Sequence, residues 1–188
     1  MDTCLDTRSL VRVALFAAVI AVLGLLPKFD VPLAGGVPIT AQSLGVMLAG
    51  LVLGPRDGAL AVLLLLFVVA LGAPLLAGGR GGLGVFFGPS VGFLLGWVAG
   101  AWACGFVMLR LRTVPVLPAA IAAAAVGGIL VVYAFGVPAL AWKTGLTLGQ
   151  ALAGSAVFLP GDVVKAVAAG LVRQAAGQAS RSLLPGRA

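Results

Sequence analysis

Near the C-terminal end of a chain in which most residues are apolar, the run LPGDVVK places Asp162 three residues before Lys165. On a helix that spacing sets both side chains on one face, close enough to pair. All five acids of the chain are aspartates, and apart from Asp57 at the very edge of the third expected span, Asp162 alone falls inside one. A charge at the centre of a spanning helix costs about 2.5–3.5 kcal/mol, so such groups mark function by default. Two structural explanations stand beside the functional one. A carboxylate in a first helical turn suits the helix dipole, and Lys165 can pair with it or reach toward the interface. The chain has no histidine, which removes His-based catalysis, imidazole metal sites and His proton relays. A single intramembrane acid also leaves no material for paired-carboxylate hydrolysis, so an intramembrane enzyme is not expected. What an acceptor and a donor can do together in apolar surroundings is hold a small molecule.

The elements that position this pair follow from composition. Of 188 residues, 62% are hydrophobic and 9% charged, against about 45–50% and about 25% in soluble domains. Helices that cross a bilayer need about 20 residues each, so six would use roughly 120 and leave about 68 for connections. The expectation is an all-α membrane protein with one integral-membrane domain and six spans, about 9–26, 41–54, 57–72, 89–111, 118–135 and 160–177. The first largely apolar stretch, Val11 to Leu26 with Arg12 near its start, is followed by further apolar runs, and it is expected to be a retained first helix and not a signal-peptide core. Thr40 is the expected N-cap of the second span. Between the first two spans, PKFDVPLAGGVPIT reads as extended or turn-like, and the glycines from Gly78 to Gly88 argue against regular helix there. Thr147 to Phe158 reads as a short interfacial helix after an irregular GVPALAWKTG.

Orientation comes from the basic residues. With the N-terminus in the cytoplasm, Arg8, Arg12, Arg56, Arg110, Arg112, Arg173, Arg181 and Arg187 lie inside. Lys28, Arg80 and Lys143 lie outside, and Lys165 sits within the last span. That bias puts both termini in the cytoplasm, as an even number of spans requires. The net charge of +7 is scattered between apolar runs and does not form a nucleic-acid-binding patch. The same orientation brings Asp162 and Lys165 close to the outer surface. There they meet Thr40, Gln42, Arg80, Phe86, Phe87 and the backbone amides of the Gly-rich loop. Gln42, Phe86, Phe87 and Tyr133 serve equally well as packing residues.

Other motifs carry less. GRGGLG (79–84) fits the dinucleotide pattern but lacks the flanking strand and helix that give it meaning. No phosphate-binding G-x-x-x-x-G-K-[ST] is present, so ATP hydrolysis would have to come from a partner. Cys4 and Cys104 stand apart and read as inert thiols. Two strips of small residues are legible, Gly88, Gly92, Gly96 and Gly100 on the fourth span, and Ala14 and Ala18, flanked by Ala17 and Ala21, on the first. Small residues at four-residue spacing let helices approach closely in lipid, either within the bundle or against another membrane protein.

The elements VPIT-x-Q, GP-R-x-G, AGG-x-GGLG, GP-x-x-G and PGD-x-x-K occur in this order between about Arg12 and Val172. Together they resemble the BioY family, the biotin-specific substrate-capture (S) components of energy-coupling factor (ECF) transporters. The resemblance implies a six-helix bundle with both termini cytoplasmic and an outward-facing biotin pocket closed by the loop between the first two helices. It places Asp162 and Lys165 on the ligand pair. Asp162 would accept from the ureido N–H groups, and Lys165 would donate to the ureido or the valerate oxygens. Thr40, Gln42, Gly78, Gly79, Arg80, Phe86 and Tyr133 complete the candidate biotin site. Gly78 and Gly79 depart from relatives that carry a polar side chain there, leaving backbone amides or Arg80 to substitute. Ala14 and Ala18 fall on the motif by which S components dock a transmembrane coupling protein, itself driven by ATP-binding cassette ATPases. The implied location is the bacterial inner membrane, with no cofactor. Two alternatives stand beside this one: an S component of the same architecture for another vitamin and, from a different class, an autonomous small-molecule facilitator, against which the lack of inverted repeats argues.

Overall fold

In the computed structural model, residues 6–30 and 37–182 are described. Cys4, Arg187 and part of the first connection therefore lie outside the described residues. Among the described residues, the regular structure is helical apart from one short two-stranded ribbon. α1 spans Thr7–Leu23, α2 Gln42–Leu53, α3 Pro55–Ala70 and α4 Val91–Arg110. Between α1 and α2, β1 (Phe29–Asp30) pairs antiparallel with β2 (Pro38–Ile39).

The second half differs from the expected layout. α5 (Val116–Ala125) passes through a π-helical stretch, Val126–Val131, into α6 (Val132–Thr144), making one helix of 29 residues. The segment expected to be irregular is helical, and Pro138 lies inside it. A proline inside a spanning helix is tolerated where local adjustments and neighbouring helices satisfy the backbone it frees. α7 (Leu148–Ser155) is the short helix expected there, fixed by a capping box in which Thr147 and Gln150 exchange hydrogen bonds. It is not separate, however. A 3₁₀ turn, Ala156–Phe158, carries it directly into α8 (Leu159–Ser182). The helices Val91–Arg110, Val116–Thr144 and Leu148–Ala179 are long and apolar enough to cross a membrane.

Glycines decide where the helices touch. On α4, a Cβ at Gly96 would lie 3.0 Å from the Val132 carbonyl oxygen, and one at Gly100 would lie 2.7 Å from that of Gly127. The strip from Gly92 to Gly100 is therefore the seam between α4 and the α5–α6 helix. Gly88 lies before α4 and makes no such contact. On α1, Val13, Ala17 and Ile20 are buried, whereas Ala14 and Ala18 face outward. The Gly-rich segment forms a tight turn. Leu76 and Arg80 exchange both backbone hydrogen bonds, at 3.0 and 3.1 Å, across Gly78 and Gly79. Both glycines have positive φ, 79° and 70°, where a side chain would be strained. A 3₁₀ turn at Leu83–Phe86 follows, so GRGGLG has no βαβ context. Cys104 is buried and unpaired.

Candidate ligand-binding site

α8 begins at Leu159, so Asp162 and Lys165 occupy its first two turns on one face. Lys165 Nζ lies 2.9 Å from Asp162 Oδ1 and donates also to Ser43 Oγ at 3.0 Å. The second carboxylate oxygen, Oδ2, accepts from the Tyr133 hydroxyl at 2.8 Å. Ser43 Oγ approaches Asp162 Oδ1 at 3.5 Å. Four side chains from α2, α6 and α8 thus form one network around a carboxylate that is only 7% exposed. A charge in that position needs partners, because an unpaired buried ion is far costlier than a paired one.

This network forms part of the wall of a cavity at the junction of α2, α4, α6 and α8. The cavity has a volume of about 60 Å³, several times the roughly 10–15 Å³ that one water needs. Its apolar wall is aromatic, formed by Phe93 and Trp97 of α4, Phe158 before α8, and the Tyr133 ring. Phe93 meets Tyr133 and Phe158 edge-on, with ring centroids 6.1 and 6.2 Å apart. Val37, Pro38 and Ile39 of the ribbon, with Thr40, also line it. Arg80 borders it from the Gly-rich turn, donating from Nε to the Ala77 carbonyl at 3.2 Å and from Nη1 to Ser90 Oγ at 3.4 Å.

Asp162, Lys165, Tyr133, Thr40, Gln42 and Arg80 are brought together around one space. Thr40 is not the N-cap of α2: that position is Ala41, without a side-chain cap, and Thr40 instead contributes to the cavity wall. Gln42 is 1% exposed. Its amide nitrogen donates to the carbonyls of Ile20 and Leu75, and its oxygen accepts from the Ala77 N–H, so its polar groups hold backbone. Gly78 and Gly79 shape the turn that carries Arg80 and do not line the cavity. Phe86 stands outside it as well, bordering a separate groove with Phe135 and Trp142. Ser43, Phe93, Trp97 and Phe158 were missed by sequence reasoning. Ser43 had a signal, a second polar residue beside Gln42 at the head of an apolar helix. Phe93 and Trp97 had another, sharing a helix face one residue from Gly92 and Gly96.

A two-ended network of donors and acceptors beneath an aromatic wall suits a compact polar ring with an apolar body. Comparison with known proteins agrees. The model of the BioY family matches residues 1–182.

The chain belongs to the BioY family.

Biotin transporter BioY of Rhizobium etli is 50% identical over 193 residues, covering 98% of this chain and 100% of the relative. Biotin transporter BioY of Rhodobacter capsulatus is 50% identical over 189 residues, covering 96% and 98%. A crystal structure of the S-component for biotin from an ECF-type ABC transporter superposes with a TM-score of 0.84 at 30% identity, over 95% of each chain. BioY membership makes this a membrane transporter component, and the likeness in fold extends across the whole bundle.

Proposed function

We propose that this chain is a biotin-capture subunit, a non-catalytic S component of an ECF-type transporter. The observation that carries the reading is the Tyr133–Asp162–Lys165–Ser43 network set in an aromatic cavity. Biotin's ureido ring offers N–H donors beside a carbonyl, and its valerate ends in a carboxylate. Asp162 accepts from the ureido N–H groups, while Lys165 donates to a biotin oxygen. Phe93, Trp97 and Phe158 pack the ring system and exclude water, which strengthens each polar contact. Arg80 and the ribbon form the rim through which the ligand enters.

Counting α5–α6 and α7–α8 as single helices gives six crossings, with both termini in the cytoplasm of a bacterial cell and the cavity facing out. Arginine bias supports this orientation. The absence of an ATP-binding motif and the outward-facing Ala14 and Ala18 support docking to a transmembrane coupling protein driven by ATPases. In that assembly the loaded bundle tips in the membrane and releases biotin inside. Calorimetric titration of the purified protein tests the site. Asp162→Asn and Lys165→Ala should each weaken biotin binding by at least about thirtyfold, since breaking a buried charged contact costs 2 kcal/mol or more. Unchanged binding in both variants would defeat the assignment.

A further inference from the structure

Gln42 lies where three elements meet. α1 ends with Gly24 donating to the carbonyl of Ala21 at 2.9 Å, a shortened turn that leaves the Ile20 carbonyl without its usual helical partner. Gln42 Nε2 reaches across from α2 and donates to that carbonyl at 3.2 Å. The same nitrogen donates to Leu75 at 3.0 Å, and Oε1 accepts from the Ala77 N–H at 2.9 Å. One buried side chain thus ties together the last turn of α1, the first turn of α2 and the strand-like start of the turn that carries Arg80. The backbones are close as well. A Cβ at Gly24 would meet the Leu75 carbonyl and would come within 2.8 Å of Gln42 Nε2. A Cβ at Gly45 would come within 2.9 Å of the Ile20 and Leu23 side chains.

The next residue, Ser43, accepts from Lys165 at 3.0 Å. Gln42 and Ser43 are therefore adjacent links, one to the ligand network and one to the helix that exposes Ala14 and Ala18. At its other end α1 is fastened by Ser9 Oγ, which donates to Asp57 of α3 at 2.7 Å, while Val13, Ala17 and Ile20 supply apolar packing between the two clasps.

We infer that Gln42 is a positioning residue that couples the binding cavity to the outer end of α1. It borders the cavity, but its amide is engaged by backbone and acts through those hydrogen bonds. A ligand held by Ser43, Lys165 and Asp162 restrains the first turn of α2. Gln42 passes that restraint to the Leu75–Arg80 turn and to the last turn of α1, the helix whose middle turns carry Ala14 and Ala18. The inference rests on the biotin reading of the site. By linkage, a partner that fixes α1 then alters biotin affinity by the same factor.

Hydrogen–deuterium exchange on the full chain in mild detergent, with and without saturating biotin, tests this. In the wild type, biotin should slow exchange at least fivefold in the first turn of α8, in residues 75–80 and in residues 20–25. With Gln42→Leu brought to saturation with biotin, as checked by calorimetry, the slowing should remain in α8 and disappear from residues 20–25. Gly24→Ala, which keeps the glutamine but pushes its amide and the Leu75 carbonyl away from α1, gives the same pattern and serves if the first variant does not fold. Protection in α8 with no change in residues 20–25 of the wild type would overturn the coupling, as would its persistence in a folded variant. Absence of any biotin binding to the wild type, seen by calorimetry, would instead overturn the ligand reading on which the coupling stands.

Discussion

Two strips of small residues with the same spacing have opposite fates. On α4, Gly92, Gly96 and Gly100 are closed over by the backbone of the α5–α6 helix, with the Val132 carbonyl 3.0 Å from where a Gly96 Cβ would stand. On α1, Ala14 and Ala18 are exposed, among outward-facing Val11, Leu15 and Val22. Small residues permit close approach without naming the partner. The remainder of each helix decides. α1 already buries Val13, Ala17 and Ile20 on the opposite side, so its alanines are left over. α4 has large residues among its glycines, Phe93 and Trp97, which project into the cavity once the glycines have seated α6.

The internal strip breaks first. Gly92→Leu would drive a side chain into the backbone of α6, where the Phe135 carbonyl oxygen lies 2.5 Å from a Cβ. The expected cost is at least about 3 kcal/mol, the upper part of the overpacking range, read as a lowered unfolding midpoint in detergent with loss of biotin binding. The external strip should behave in the opposite way. The Ala14→Leu, Ala18→Leu double variant should keep its unfolding midpoint and its biotin affinity within twofold. Coupled uptake in cells should fall about tenfold, as expected if about 1.4 kcal/mol of docking energy is lost. Loss of biotin binding in this variant would erase the distinction between the strips. A smaller effect asks whether the internal strip also serves the site. Tyr133 follows Val132, the residue seated against Gly96, and its hydroxyl holds Asp162. Tyr133→Phe should weaken biotin binding about tenfold or less, removing one hydrogen bond to a charged group, with little change in the unfolding midpoint.

Much of this arrangement was legible in the sequence because the polar residues are few. Asp162 and Lys165 stand out in an apolar run, and helix spacing alone puts them together. The helices α2, α3 and α4 begin and end within a few residues of the segments 41–54, 57–72 and 89–111 read from the sequence. The extent of α6 was not legible. Pro138 and Gly136 are ordinary breakers in water, whereas here α6 packs closely on α4, with a Cβ at Gly136 running into the Phe93 ring, and the helix continues. Nor could the sequence tell that Gln42 would be consumed by backbone. That depends on the shortened last turn of α1 and on the position of Leu75 and Ala77, which only the assembled bundle brings within reach. Phe158 was missed for the same reason, since it meets Phe93, and Phe93 meets Tyr133, only across separate helical segments.

The most direct test of the account is native mass spectrometry of the protein purified in mild detergent from cells grown with biotin. The wild-type chain should carry the mass of one biotin, and Asp162→Asn, prepared identically and shown to be folded, should carry none. A wild-type chain carrying a different vitamin, or an Asp162→Asn chain retaining biotin as fully as the wild type, would contradict it.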